Sequence, residues 1–445
     1  MGVRSRRHSS YAVLTALIGV FGSGGVLADD CVRPNTDVVN GVTLRAGPSG
    51  TSDKLGTLLP GRVLPLVAVL PYWYETRLGS QTAFASKRWV TIGDCSDTTP
   101  GAPAQPAGAP EFTIDAFDVG TGLSLLVRGA DFTVLYDAGS NDDVATGADN
   151  RVVAYLKAQA PAITSLTHVI LSHPHKDHDS LMPDVIREFP PKQVWDSGSR
   201  GNMTCEYWDF LRAVADTTSV QYHTVTRDSG AETVALTAAQ CAPAAVRSVT
   251  LNHGKRIDTG EIALGMGASM QILYADGTSY TSTQNPNKNS LVVRFTLGSR
   301  HALFMGDAPG GERAPPTTAP AANSIEAKLL ICCQQELFAD ILIAGHHGSS
   351  TSSRNALVSA VGASVYVISS GPFAYSGTTL PSPEIVTSLK GRGQLFETYT
   401  NDALCRTSAA KIGPDNDGKP GGCDAVRITI SSQGQIAAAY NRAAD

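Results

Sequence analysis

The sequence is short of charge and short of histidine. Only 17% of its 445 residues are Asp, Glu, Lys or Arg, and ten are histidine. The formal net charge of −5 excludes a global electrostatic pull toward nucleic acid, though not a local basic groove. Beyond the first 28 residues no apolar run approaches the roughly 20 residues of a spanning helix, so a soluble mature chain without membrane insertion is expected. None of the eight cysteines stands in CxxC spacing, which argues against a zinc ribbon. There is no GxSxG elbow, no phosphate-cradling P-loop and no internal repeat. What is abundant is turn chemistry, with 43 Gly and 25 Pro pointing to many short strands. A 42% hydrophobic content over this length supports two or three domains.

Residues 1–28 read as an export signal. Arg4, Arg6 and Arg7 form a basic start, Tyr11–Phe21 an apolar core too short to span a bilayer, and Val26–Ala28 a small-residue cleavage site. A twin-arginine route is the lesser alternative, because Ser9 and Ser10 stand where apolar residues belong. Asp29 and Asp30 rule out a lipoprotein box. A periplasmic or secreted location follows, and with it disulfide formation. Cys31 with Cys95 and Cys405 with Cys423 are the expected pairs, Cys205 with Cys241 a further one. The adjacent Cys332 and Cys333 receive no partner.

Residues 29–95 alternate short β-rich runs with Gly/Pro turns, as in a small all-β barrel. The stretches "LRAGPS" (44–49), "LGTLLPGRVLPLV" (55–67), "YWY" (72–74) and "SKRWVTI" (86–92) resemble a bacterial SH3-like domain. The resemblance implies a targeting module with a cell-wall ligand; a barrel that merely packs, with its aromatics in the core, fits equally. Residues 96–111, with four prolines and no periodicity, read as a semi-rigid linker. From residue 112 to 445 strand and helix patterns alternate. Apolar strands lead into "LYDAG" (135–139), "LSHPHKDHDS" (171–180), "LFMGDA" (303–308) and "IAGHHGSS" (343–350), while "NRVVAYLKAQA" (150–160) and "NSIEAKLLI" (323–331) have helical spacing.

The segment 171–180 gathers three of the ten histidines and two aspartates. A tight loop after a buried strand can aim His173 and His175 at one metal ion and Asp177 and His178 at a second. Asp307 ends an apolar strand, where a carboxylate is costly to bury unless paired or metal-bound, and it can bridge two ions. Adjacent strand residues point to opposite faces, so His347 is assigned as ligand and His346 as the substrate-facing partner. Asp137 is expected to orient the HPHKDH loop by hydrogen bonds rather than bind metal.

The order DAG, HxHxDH, GD, H resembles the metallo-β-lactamase fold, an αββα sandwich with a dinuclear site at its edge. "FDVGTG" (117–122), "NKNSLVVRF" (287–295) and "GHHGSSTSS" (345–353) bring it nearest the hydrolase domain of ComEC-type competence proteins. The resemblance covers residues 112 to about 440. Three positions depart from that pattern: Thr121 and Leu123 replace a Gln and an Asp, and Leu380–Pro381 replaces His-Pro. The ligand that many relatives carry before the GD strand is also missing, with Asn287, Asn289 and Ser290 in that stretch. His253 and His301 lie outside any matching context.

The implied chemistry is metal-assisted hydrolysis by water acidified between two divalent ions, zinc being expected first and manganese as the alternative. Asp177, His346 and Asn289 are the expected catalytic residues, with Ser349 as an alternative donor to developing charge. The favoured substrate is a phosphodiester, in nucleic acid or a cell-surface polymer. Hydrolysis of an amide, thioester or lactam is the second reading, and a cell-wall-binding protein with an inactive metallo domain the third.

Overall fold

The computed structural model describes residues 30–35, 38, 42–50, 52–58, 62–78, 81–95, 111–159, 161–235, 241, 248–258, 260–398 and 425–440. The export signal, residues 96–110 of the linker and the Cys405–Cys423 pair lie outside these. The chain divides into two compact units, residues 1–104 and 105–445, at a point inside the Pro/Ala-rich stretch.

The first unit is an antiparallel all-β sheet. Its strands are β1 (Asp30–Pro34), β2 (Val42–Arg45), β3 (Lys54–Leu58), β4 (Leu64–Val69), β5 (Trp73–Leu78), β6 (Gln81–Ser86) and β7 (Val90–Asp94). They run in the order β3-β2-β6-β5-β4-β1-β7. Alternate residues of β2 and β6 turn inward, so Val42, Leu44, Ala83 and Ala85 join Val32, Leu58, Leu66 and Val90 in one core. Cys31 and Cys95 are bonded, closing a loop worth roughly 4 kcal/mol in restricted unfolded-chain entropy. Not all of the aromatics are core: Tyr72 is 79% and Trp89 41% exposed.

The second unit has four layers. A ten-stranded sheet contains β8 (Phe112–Ala116), β9 (Leu125–Arg128), β10 (Thr133–Tyr136), β11 (Leu166–Ile170), β12 (Pro191–Trp195), β13 (Gln221–His223), β14 (Gly230–Ala235) and β15 (Ser248–His253). A seven-stranded sheet follows, with β16 (Glu261–Gly265), β17 (Ala268–Tyr274), β18 (Val292–Leu297), β19 (Arg300–Phe304), β20 (Ile341–Ile343), β21 (Val365–Ile368) and, after a small hairpin of β22 (Ala374–Tyr375) and β23 (Thr378–Thr379), β24 (Gln394–Glu397). The chain then returns to the first sheet as β25 (Val426–Ile430) and β26 (Ile436–Tyr440), giving the order β14-β15-β13-β12-β11-β10-β9-β8-β25-β26.

Three cores hold these layers together. Between the sheets lie Ile114, Val127, Val134, Tyr136, Phe295, Phe304 and Val367. Outside the ten-stranded sheet pack α1 (Arg151–Lys157), α3 (Met182–Glu188) and α4 (Cys205–Asp216), through Val152, Leu156, Val185, Phe210 and Leu211. Outside the seven-stranded sheet pack α5 (Ile325–Cys332), α6 (Asn355–Val361) and α7 (Pro383–Lys390), through Ile325, Leu329, Leu357, Ile385 and Leu389. This is the αββα arrangement expected from the sequence.

Local signals explain where the helices begin. The Asn150 side chain accepts from the N–H groups of Val152 and Val153, Thr204 caps α4 at Tyr207, and Ser324 caps α5 at Ala327. Cys205 at the start of α4 is bonded to Cys241, and the adjacent Cys332 and Cys333 are bonded to each other. Strands β10, β11 and β12 are parallel neighbours in one sheet, and β19, β20 and β21 in the other. In such sheets the loops after the strands' carboxyl ends gather on one edge, where sites form.

Candidate metal centre

The loop after β10 supplies the base of the centre. Asp137 adopts a left-handed conformation (φ 59°) that lets its carboxylate turn back toward β11. Its Oδ1 accepts the Ser172 N–H at 2.6 Å, and its Oδ2 accepts the Ser172 hydroxyl and His178 Nδ1, both at 2.7 Å. Because a carboxylate only accepts, His178 donates from Nδ1 and keeps the lone pair of its neutral ring on Nε2. Two residues on, Gly139 lies against the backbone of the short helix α2 (Lys176–Asp179); a Cβ there would sit 2.3 Å from the His178 nitrogen.

The loops after β19 and β20 close the centre from the other sheet. Asp307 is buried, and its two oxygens face different neighbours. Oδ1 lies 3.2 Å from His178 Nε2 and 3.6 Å from His347 Nε2; Oδ2 lies 3.8 Å from His173 Nε2 and 3.6 Å from His346 Nε2. His347 donates from Nδ1 to the Ser369 carbonyl at 3.0 Å, just past β21, which leaves its Nε2 lone pair facing Asp307 and, at 3.4 Å, Asp177 Oδ2. Two sets of potential ligand atoms result: His173, His178 and Asp307, and Asp177, His178 and His347, each with all atoms within 4.8 Å.

These residues fit divalent metal. His178 Nε2, His347 Nε2 and Asp307 Oδ1 are buried and have no hydrogen-bond partner, yet they converge. Nitrogen and oxygen ligands about 2 Å from one ion must lie within roughly 4 Å of each other, as Asp307 Oδ1 does of both nitrogens. The electrostatics point the same way. Burial pushes the His178 ring down, but Asp307 and Asp137 outweigh it and hold the ring well above the ordinary imidazole range. His347 is likewise raised against burial by Asp307 and Asp177. Burial pushes Asp307 up, but His178, His346 and His347 hold it well below the carboxylate range. The gap between these groups demands positive charge, and a divalent cation supplies it as well as protons do.

Several expectations change in detail. His173 groups with His178 rather than with His175, whose Nδ1 lies 3.0 Å from His173 Nε2 but belongs to neither set. His346 and His347 do not sit on a strand: they form a 3-10 turn, both with positive φ, so the alternation argument fails and both rings face Asp307. His347 falls in a ligand set, while the His346 side chain is 24% exposed.

Asn289 is in neither ligand set, and its amide nitrogen is engaged elsewhere. It donates to the carbonyls of Asp276 and Thr278 at 2.6 and 2.8 Å. Asn287 faces the centre, with Nδ2 3.4 Å from Asp307 Oδ2 and 3.3 Å from His346 Nε2. Residues Pro286–Asn289 form a 3-10 turn, in which positions two apart point in different directions. Ser349 bonds Thr351 within its own loop. His253 pairs with Glu232 at 2.8 Å and His301 meets Thr296; neither joins a ligand set.

Sequence reasoning also missed Ser172 and Tyr375. Ser172 precedes the motif, and its hydroxyl lies 3.0 Å from His173 Nδ1, orienting that ring. The Tyr375 phenol hydrogen-bonds Asp177 Oδ2 across 198 positions, a partnership no local pattern signals.

Beneath the His346–His347 turn, Glu326 of α5 accepts from the Arg354 N–H and the Ser352 hydroxyl, both at 3.2 Å, and from the Ser353 N–H. Burial pushes its carboxyl from 4.5 up to about 7 despite these bonds. The folded chain therefore holds a proton that the unfolded chain releases between these values. Glu326 is most favourable to stability below 4.5 and progressively less so as pH rises toward 7. Relative to Glu326→Gln, the wild type is expected to lose ~3 kcal/mol of stability across that window. Urea unfolding of both at pH 4.5 and 7.5 checks this; a pH-independent difference would mean that the carboxyl titrates normally.

Residues 117–235 match the sequence model of the metallo-beta-lactamase superfamily. Over 268 residues the chain is 25% identical to Recombination protein 2 of Haemophilus influenzae, covering 59% of this chain and 24% of that protein. The chain thus spans about a quarter of that relative. Among solved structures it is similar to the metallo-beta-lactamase fold protein YhfI from Bacillus subtilis (13% identity, 65% of this chain and 96% of that one, TM-score 0.37). It is also similar to Igni18, a metallo hydrolase from Ignicoccus hospitalis (11% identity, 64% and 94%, TM-score 0.35).

Proposed function

We propose that this chain is an exported, metal-dependent hydrolase of phosphodiester bonds. The observation that carries the metal-dependent reading is Asp307, whose two buried oxygens each face separate imidazoles, with unpartnered Nε2 atoms of His178 and His347 aimed at one of them. His173, His178 and Asp307 would hold one ion; Asp177, His178 and His347 border the place of another. Zinc or manganese bound there would supply Lewis-acid polarisation of an ester oxygen and acidification of water. Asp137 keeps His178 in the ligating tautomer, and the Ser369 carbonyl does the same for His347. His346, held by Thr351 at 2.6 Å, and the Asn287 amide stand on the Oδ2 side of Asp307, where they can hydrogen-bond an oxygen that gains charge.

The phosphodiester assignment is supported by likeness to a protein named for recombination, whose material is nucleic acid. Export is supported by the reading of residues 1–28 and by three disulfides among the described residues. The exposed Tyr72 and Trp89, with Arg88 4.7 Å over the Trp89 ring, support a ligand-binding role for the N-terminal SH3-like unit; cosedimentation with peptidoglycan tests it.

The deciding experiment is metal analysis of purified residues 29–445, paired with turnover of bis-p-nitrophenyl phosphate in added zinc or manganese. About two ions per chain and phosphodiester turnover are expected. Bound metal with turnover only of a chromogenic lactam or thioester would replace the phosphodiester reading with acyl hydrolysis. A wild type that takes up no metal would sink both.

A further inference from the structure

Residues 371–382 are tied to the metal centre at both ends. At one end Gly371 lies so close to Gly120–Thr121 that a Cβ would meet the Thr121 nitrogen at 2.0 Å, and the Phe373 N–H donates to Thr121 Oγ1 at 3.0 Å. At the other, the Ser382 N–H donates to the Gly348 carbonyl at 2.9 Å, and the Ser350 N–H to Ser382 Oγ at 3.0 Å. Between them, β22 and β23 form a hairpin that turns on left-handed Ser376 and Gly377. Thr121, one departure from the competence-type pattern, thus anchors this segment, and Leu380, another, is buried in it.

Tyr375 stands in the first strand of the hairpin. Its hydroxyl oxygen accepts from Asn141 Nδ2 at 3.0 Å, which directs its single proton to Asp177 Oδ2. That oxygen is the one 3.4 Å from His347 Nε2, on the side of the Asp177–His178–His347 set. The phenol's hydrogen bonds go to Asp177 and Asn141, and neither belongs to the other set, His173–His178–Asp307.

We propose that Tyr375 is a positioning residue for one of the two ion sites: its phenol fixes the Asp177 carboxylate toward His178 and His347, so that binding there depends on the hairpin and binding at the other set does not. The inference rests on the metallohydrolase reading above. A donor on a ligating carboxylate sets its orientation, and losing such a partner costs roughly 10–100-fold in metal affinity.

The test is a zinc titration of metal-stripped full-length chain in competition with a chromogenic chelator. The wild type should show two binding steps. In Tyr375→Phe one step should weaken roughly 10–100-fold while the other holds. Asn141→Ala should weaken the same step by less, because the phenol keeps its proton but loses its orientation. Thermal melting of each variant confirms that the fold is retained, and excess zinc should restore turnover in Tyr375→Phe. Two wild-type steps that are unaltered in Tyr375→Phe, or that fall together, overturn this inference alone. A wild type that binds no zinc overturns the metallohydrolase reading and this inference with it.

Discussion

Asp307→Asn is expected to empty the centre while leaving the fold intact. Asparagine has the same shape, so the turn after β19 and the Asp307 N–H bond to Ser290 Oγ at 3.1 Å can persist. What disappears is the charge that both ligand sets lean on: one oxygen faces His178 and His347, the other His173 and His346. An amide offers one neutral oxygen and an N–H pair that opposes a cation. Bound metal should fall below one ion per chain, and turnover by on the order of 10³-fold, as when a charge-stabilising group is removed from a reacting centre. Metal analysis and melting curves on the same sample check this. Retention of both ions would show that Asp307 does not bridge.

Gly139→Ala is expected to damage stability and site together. The added methyl would lie 2.3 Å from the His178 nitrogen, 2.4 Å from the Asp177 carbonyl carbon and 2.6 Å from the Asp179 nitrogen. All three are backbone atoms of α2, so no side chain can swing away; the helix itself must move. Forcing such a contact costs about 1–3 kcal/mol or more. The movement also strains the Ala138–His178 backbone bond at 2.9 Å and carries Asp177 and His178 away from Asp307. Gly391→Ala is the control: its Cβ would make only ordinary contacts from 3.5 Å outward, so stability should change by less than about 0.5 kcal/mol. Urea unfolding with zinc titration of both variants separates the two effects. A Gly139→Ala chain as stable and as metal-avid as wild type would mean that the DAG turn does not set the position of α2.

The strands leading into the site were legible because parallel, doubly covered strands are continuously apolar and stop abruptly at polar residues. "THVILS" before His173 and "ALFMGD" around Asp307 are of this kind. The helices at Asn150 and Ser324 were legible from spacing, and their caps agree with it. Local geometry was not. Strand alternation sets His346 opposite His347, but that segment folds as a 3-10 turn, and Asn289, also expected at the site, lies in another such turn. Such turns at strand ends carry left-handed residues, here His346 and His347, that no period-2 pattern anticipates.

The sequence by itself marked candidate metal-binding residues, of which His175 falls in neither ligand set. Imidazoles and carboxylates at the ends of apolar strands have few other uses, and the spacing within HPHKDH confines three of the ligand-set residues to one loop and the short helix after it. Tertiary structure alone decided how they combine. It assigned one oxygen of Asp307 to each side of the centre and selected the His178 and His347 tautomers through Asp137 and Ser369. It also brought the phenol of Tyr375 to Asp177. The tautomers are set by neighbouring parallel strands within each sheet, and the Asp307 and Tyr375 contacts by closure of the two sheets on one another, so that side chains 41 to 198 positions apart meet. A linear pattern holds no record of that distance, because the contact energy arises only once both sheets have packed.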